Sequence, residues 1–402
     1  MSPGARISAS ITILDNIIGG APVNKSILNW FRSNRFAGSK DRFAIREIIF
    51  NCLRYQRSSL WSFKLIGLPE NGRSLVIGTL CRENIEILAY FNGKTYCPDK
   101  ISEREQSAVD CVNESLLKAP ISVMLDFPEF LEKELFVSLG EALRDTMLHL
   151  NRRAQVYLRV NLMKSTVDAV IKSLLSEGVL VKKCPTTSSG LLVLNKVSKI
   201  EKTKAYIEGR VEIQDISSQA VIEFINPQPN MMILDYCAGG GGKTLAIASF
   251  TRGKGQFFAH DKNENRMNDL RERSKRSGVK VKILKTDQLF EIKSKFNLVL
   301  ADVPCSGIGA WRRNPGGKWW LTLEKLGGLL EEQRKILLEA SEQVLVGGCF
   351  VYVTCSLLYS ENRKQIRWFL SNNTHFYLDK DKIISPLEGG DGFYVCLLKR
   401  IK

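Results

Sequence analysis

Two cysteines close apolar runs of the same kind. The run at 297–301 leads into Ala-Asp-Val-Pro-Cys-Ser-Gly-Ile-Gly, which carries Asp302 and Cys305, and the run ending at Thr354 leads straight into Cys355. A lone cysteine in apolar surroundings is ordinarily inert, but two at adjacent strand ends are placed as a reactive pair. The chemistry open to them is nucleophilic. A thiolate can add to carbon 6 of a cytosine ring, and the resulting enamine makes the otherwise unreactive carbon 5 able to attack a methyl sulfonium. Asp302, in the turn before Cys305, can hydrogen-bond such a base near its ring nitrogen and amine and steady the adduct; a salt bridge or a helix cap is its bland alternative. Carbon 5 must then lose its proton before the first thiol leaves, a step the second thiol could assist.

A second constellation lies upstream. The segment Cys237, Ala238, Gly239, Gly240, Gly241, Gly242 and Lys243 follows an apolar run at 231–236 and opens a helix. Its glycines let backbone approach a ligand closely. A phosphate-binding P-loop would need glycine at position 237, where Cys237 stands, so the strict motif fails. Asp261 closes the next strand and Asp287 follows the one after, which puts carboxylates where ribose hydroxyls and a base amine can be held. That set suits a nucleoside cofactor without phosphates.

Between the two cysteines, Trp-Arg-Arg-Asn-Pro-Gly-Gly-Lys-Trp-Trp places Arg312, Arg313 and Lys318 among aromatic residues, a combination suited to phosphate contact and base stacking. A loop packed on the domain surface is the alternative. The whole chain agrees with a polyanionic partner: 58 basic against 42 acidic residues give a net charge of +16. The excess is clustered, eleven against four from Arg252 to Lys285 and seven against two from Arg32 to Arg57.

These groups need a scaffold. At 402 residues the chain exceeds the ~250–300 at which a single core stops growing, so several domains are expected. Residues 1–125 read as helical: Ile7, Ile11, Leu14, Ile17 and Ile18 form one stripe, and Ile45, Ile48, Ile49, Cys52 and Leu53 another. Asp126-Phe127-Pro128 marks a break. Residues 126–220 hold a small α+β module, with strands at 156–162, 179–184 and 191–194 and a helix ended by Gly178. From 221 to 402, apolar strands alternate with amphipathic helices, which predicts a parallel, doubly wound α/β sheet.

Several classes are disfavoured. No run of ~18 uncharged apolar residues suggests a membrane span, and the N-terminal stretch lacks a signal-peptide pattern, so a cytoplasmic protein is expected. Ten scattered cysteines without a CxxC pair read as reduced thiols, and three histidines form no ligand cluster with them, so no metal site is expected.

Taken together, these motifs resemble the Sun/Nol/Nop family of RNA cytosine-5 methyltransferases, and most closely its bacterial RsmB-like branch acting on small-subunit ribosomal RNA. The likeness extends from Gln214-Asp215 and Ser218-Gln219 through Cys237 to Lys243, Asp261, Asp287, the segment 302–309, Arg313-Asn314-Pro315, Thr354-Cys355-Ser356, Glu361-Asn362 and Asp391-Gly392-Phe393. The stretch Gly38 to Tyr55 resembles that branch's NusB-like RNA-binding domain, and Leu158 to Asn161 its middle module. The resemblance implies an N-terminal all-α NusB-like domain, a small α+β RNA-binding module and a C-terminal Rossmann-like methyltransferase using S-adenosylmethionine. It further implies Cys355 as nucleophile, Cys305 as the release-assisting thiol, Asp302 at base and cofactor, and RNA as partner. DNA cytosine methyltransferases attack from a Pro-Cys motif, which would transfer the role to Cys305; the Thr-Cys-Ser segment favours the RNA family. Gly239-Gly240 replaces the family's Ala-Pro, and Tyr359-Ser360 its Pro-Glu. A transfer-RNA methyltransferase and a non-catalytic ribosome-assembly factor are the competing readings.

Overall fold

The computed structural model describes residues 1–195, 200–292 and 295–402, and it divides into two compact units. The first takes in residues 1–136, 140–152 and 311–322. Its helices include Pro3–Ile18, Val23–Ser33, Ser39–Arg54, Gln56–Leu65 and Gly72–Arg82. Each of the two expected stripes supplies core: Ile7 and Leu14 from the first, Ile45, Ile49, Cys52 and Leu53 from the second. They bury with Ile27, Phe63, Leu75 and Ile77, each contributing roughly 1.5–3 kcal/mol by leaving water. Gly78 permits one close helix crossing, since a Cβ there would lie 2.0 Å from the Ser59 carbonyl oxygen.

The helical unit extends beyond the break at Asp126, which adopts a left-handed conformation (φ 55°). Helix Leu143–Leu150 belongs to it as well. So does the segment 311–322, which sequence reasoning left with the catalytic region.

The second unit holds two sheets. The smaller contains β1 (Tyr157–Val160), β2 (Val181–Lys183), β3 (Gly190–Val193) and β4 (Val211–Ile213), in the antiparallel order β2-β3-β1-β4. β4 was not foreseen, being only three residues long. Helix Val167–Ser176, capped by the Thr166 hydroxyl, buries Val170 and Leu174 in the same core as Leu158, Val160 and Val211.

The larger sheet contains β5 (Met231–Asp235), β6 (Gly255–Ala259), β7 (Val281–Ile283), β8 (Phe296–Asp302), β9 (Val344–Thr354), β10 (Phe376–Ile384) and β11 (Phe393–Arg400). Their order is β10-β11-β9-β8-β5-β6-β7. Successive residues bury on opposite faces: Leu298, Leu300, Val351 and Val353 in one core, Val299, Ala301, Phe350 and Tyr352 in the other. This two-sided burial explains the near-continuous apolar runs.

The expected parallel sheet holds from β7 to β9, but the far edge is antiparallel, β11 pairing with β9 and β10 with β11. β10 escaped notice because it is mostly exposed and carries Asp379, Lys380, Asp381 and Lys382, which hide the alternation a strand normally shows. No helix among the described residues is long and apolar enough to cross a membrane.

Candidate active site

The sheet's winding reverses between β5 and β8, and the loops leaving those two strand ends meet there. After β5 the chain turns through Gly239 (φ 49°) and Gly241 (φ 75°) into helix Gly242–Phe250. A Cβ on Gly241 would lie 2.2 Å from Leu270 Cδ1, so both backbone angle and space require glycine.

Asp261 is buried, and its carboxylate ties this turn down. One oxygen accepts from the Gly239 N–H at 2.9 Å and the other from the Asn263 N–H at 2.9 Å. Arg266 lies 3.4 Å away, while Arg273 donates to the Gly240 carbonyl at 2.6 Å. Beside the turn opens a cleft of about 560 Å³, lined by Tyr236, Cys237, His260, Asp261, Asn263, Thr286 and Pro304 on one side and Glu332, Ile336 and Glu339 on the other. Of the residues expected at a cofactor, Cys237 and Asp261 line it. Asp287 is exposed on the short helix Thr286–Phe290, and its neighbour Thr286 takes the place on the wall, 3.2 Å from His260 Nε2. The acidic wall from helix Leu323–Ser341 was not foreseen; Glu339 accepts from the Tyr236 hydroxyl at 3.0 Å.

Lys243 does not stand free as a P-loop lysine would. Its buried ammonium donates to Asp302 Oδ2 at 2.5 Å and lies 4.9 Å from the Phe393 ring centre. Burial alone would lower the Lys243 pKa, but the Asp302 charge and hydrogen bond, with Cys355 and Asp235 also nearby, raise it above its ordinary value.

Cys305 and Cys355 come together with their sulfurs 3.4 Å apart. Both are half-buried free thiols. The contact with Cys355 first, and burial second, push the Cys305 thiol well up. Cys237, walled in by burial and the charges of Asp235, Asp302 and Asp261, is also pushed well up and is no candidate nucleophile.

Sequence reasoning treated Glu361 and Asn362 only as a matching motif, yet they organise this corner. The buried Glu361 carboxylate accepts from the Ser306 N–H at 2.8 Å, the Ser306 and Ser356 hydroxyls and the Gln333 amide at 3.0 Å. Asn362 accepts from Thr354 Oγ1 at 2.6 Å and donates to the Ser356 carbonyl at 3.0 Å. The signal was available: a serine follows each cysteine. Behind the glycine turn, Arg159 and Gln214 both donate to the Gly242 carbonyl, at 3.1 and 3.2 Å, fixing the small sheet to the turn.

The segment 311–320 calls for a correction. Lys318 is wholly buried in the helical unit, donating to the Asp126 carbonyl at 3.1 Å, the Arg54 carbonyl at 3.3 Å and Asn151 Oδ1. Arg312 is 2% exposed and meets His149 Nε2 at 2.7 Å. Burial, then the Arg312 charge, lowers the His149 pKa, which leaves a neutral imidazole to accept. These two cations hold the unit together from within and are not placed to meet phosphate. Arg313 alone of the three is exposed.

A doubly wound sheet with a glycine turn, a carboxylate-lined cleft and two touching thiols at one rim defines an α/β enzyme of the Rossmann-like methyltransferase class. Residues 222–397 match the family described as 16S rRNA methyltransferase RsmB/F, and residues 127–200 match the RsmF/B-like ferredoxin-like domain. The chain belongs to the RsmB/F family of methyltransferases. A probable ribosomal RNA small subunit methyltransferase B from Synechocystis is 31% identical over 67% of this chain; the match takes in 62% of that relative, less than two-thirds of its length. The ribosomal RNA small subunit methyltransferase B of Klebsiella pneumoniae is 27% identical over 90% of this chain and 91% of its own. In fold, the crystal structure of PH0851 is similar over 100% of this chain and 99% of its own, with a TM-score of 0.76 and 24% identity.

Proposed function

We propose that this chain methylates carbon 5 of a cytosine in small-subunit ribosomal RNA, with S-adenosylmethionine as methyl donor. The observation that carries the reading is the Cys305–Cys355 contact at the rim shared with the cofactor cleft. The cleft fits such a donor. Its glycine turn leaves no room for a Cβ at Gly241, the Asp261 carboxylate lies on its wall, and Lys243 is neutralised by Asp302, as suits a cofactor without phosphates. Tyr236, Cys237, Asp261 and Thr286 would hold it, with Ala238 to Gly242 supplying backbone. When bound, it supplies an electrophilic methyl group on a sulfonium centre.

The protein's own groups do the rest. Cys355 Sγ bonds to carbon 6 of the cytosine, and the ring's electron pair shifts to make carbon 5 nucleophilic. Asp302, 34% exposed and anchored by Lys243, orients the base and stabilises the adduct. Once carbon 5 carries its methyl group, it gives up its proton to solvent, the electron pair of that bond re-forms the 5,6 double bond, and the carbon–sulfur bond breaks so that Cys355 leaves as thiolate. Cys305, its sulfur 3.4 Å from that of Cys355, is placed to assist that release. The helical unit, NusB-like in our reading, and the small β1–β4 module bind RNA, with the +16 charge favouring the polyanion.

The test is incubation of the full chain with labelled S-adenosylmethionine and either deproteinised small-subunit ribosomal RNA or bulk transfer RNA, followed by bisulfite sequencing. A new 5-methylcytosine in ribosomal RNA is expected. Modification of transfer RNA alone would replace the substrate, and no transfer to either would leave an RNA-binding assembly factor as the better reading.

A further inference from the structure

Nothing in the thiol chemistry explains why a carboxylate is buried to 0% exposure beside it. A buried ionised group is tolerable only when its lone pairs are met by donors. Glu361 meets that condition with donors from Ser306, Ser356 and Gln333. Ser306 follows Cys305 and Ser356 follows Cys355, and the two hydroxyls also touch each other at 3.1 Å. One carboxylate therefore grips the loops leaving two neighbouring strands, β8 and β9, one residue beyond each sulfur. Its own backbone is fixed in turn by the Tyr352 hydroxyl, which donates to the Glu361 carbonyl at 2.7 Å.

We propose that Glu361 is a positioning residue that sets the separation of Cys305 and Cys355 and thereby couples attack by one thiol to release by the other. It touches neither base nor cofactor and acts only through the two serines. The coupling of steps rests on the function proposed above; the control of sulfur separation does not.

The requirement is for acceptors toward the two N–H donors and for any partner toward the two hydroxyls, since a hydroxyl can accept as well as donate. Glutamine can meet it: its carbonyl oxygen faces Ser306 N–H and Gln333, and its amide donates to the serines. Alanine cannot.

The first readout needs no substrate. In the full-length protein, diamide oxidises the two thiols to a disulfide, taking up their two electrons and two protons, and peptide mapping under non-reducing conditions locates the bond. Glu361→Ala should slow Cys305–Cys355 cross-linking by about tenfold or more, the equivalent of losing one or two net hydrogen bonds, and Glu361→Gln should recover most of the rate. Ser306→Ala, a smaller lesion that serves if Glu361→Ala does not fold, should slow it severalfold. An unchanged rate in the alanine variants would overturn the proposal, and so would a glutamine variant as slow as alanine.

The second readout is turnover. Glu361→Ala should accumulate a covalent RNA–protein adduct, because Cys355 keeps its own support from Thr354 and Asn362 while Cys305 drifts. Parallel loss of attack and release would mean a merely structural carboxylate. If cross-linking slows but even Cys305→Ala captures no RNA, the positioning role stands and the proposed reaction falls.

Discussion

The Lys243 ammonium meets the Asp302 carboxylate at 2.5 Å, joining the turn after β5 to the loop after β8. The sign of its pH dependence follows from the raised Lys243 pKa. The stabilisation is complete below the unfolded value of 10.5 and is lost only as pH rises beyond it, so the pair is intact throughout the neutral range. Lys243→Met leaves Asp302 unpaired. Because Asp302 is partly solvated, the expected loss is about 1–2 kcal/mol, below that for a fully buried pair. Urea denaturation measures it.

Asp261 holds the glycine turn by two backbone N–H bonds, in addition to facing the cleft. Hydrogen bonds to a charged group contribute roughly 1.5–3 kcal/mol each, so Asp261→Ala should weaken S-adenosylmethionine binding at least tenfold while the fold persists. Calorimetry with the full chain decides it. Unchanged affinity would remove Asp261 from the site.

Asp235, at the end of β5, is buried and shares one oxygen with Thr244 Oγ1 at 2.6 Å, while Oδ1 has no hydrogen-bond partner. Burial first, relieved in part by Thr244, raises its pKa from 3.8 to about 7. The folded protein therefore keeps a proton that the unfolded chain releases. That stability is present below about pH 4 and lost as pH climbs to 7; a rise of that size corresponds to roughly 4 kcal/mol. Other carboxylates titrate in the same window, so the informative quantity is the difference from Asp235→Asn, which mimics the protonated acid. Denaturation at pH 5 and pH 7.5 should show the asparagine variant gaining on the wild type as pH rises. A constant difference would mean that Asp235 is already ionised at pH 5.

Lys318 supplies the check on its reassignment. Removing a buried ammonium strands the carbonyls of Arg54 and Asp126 and the Asn151 side chain, so Lys318→Ala should destabilise the helical unit by about 3 kcal/mol or more. At a temperature where the variant is folded, RNA affinity should keep its salt dependence. If instead the salt slope fell by about one and stability held, Lys318 would be a phosphate contact after all.

How much of this was legible in the residues depended on the range of the interaction. Both cysteines, the glycine turn and Asp261 announced themselves because each sits directly after an apolar run, and strand ends gather at one rim of any such sheet. Lys318 misled because its sequence neighbours, arginines and tryptophans, look like a nucleic-acid surface. Its partners lie far off in sequence, at 54, 126 and 151, and no local pattern reveals a cation buried by distant carbonyls. Glu361 fell between these cases, visible as a motif but without its role. β10 was hidden by the charges of an exposed edge.

The two cysteines demand opposite phenotypes, because the proposed mechanism gives them different steps although their sulfurs are only 3.4 Å apart. Cys355→Ala removes the thiol that adds to carbon 6, so both methyl transfer and covalent capture of RNA should disappear. Cys305→Ala leaves attack and methylation possible but removes the neighbouring thiol that assists elimination. Its RNA–protein adduct should therefore build up and survive denaturing electrophoresis. An adduct found in Cys355→Ala and missing in Cys305→Ala would exchange the two roles, and two inert variants of identical phenotype would place the chemistry on some other group.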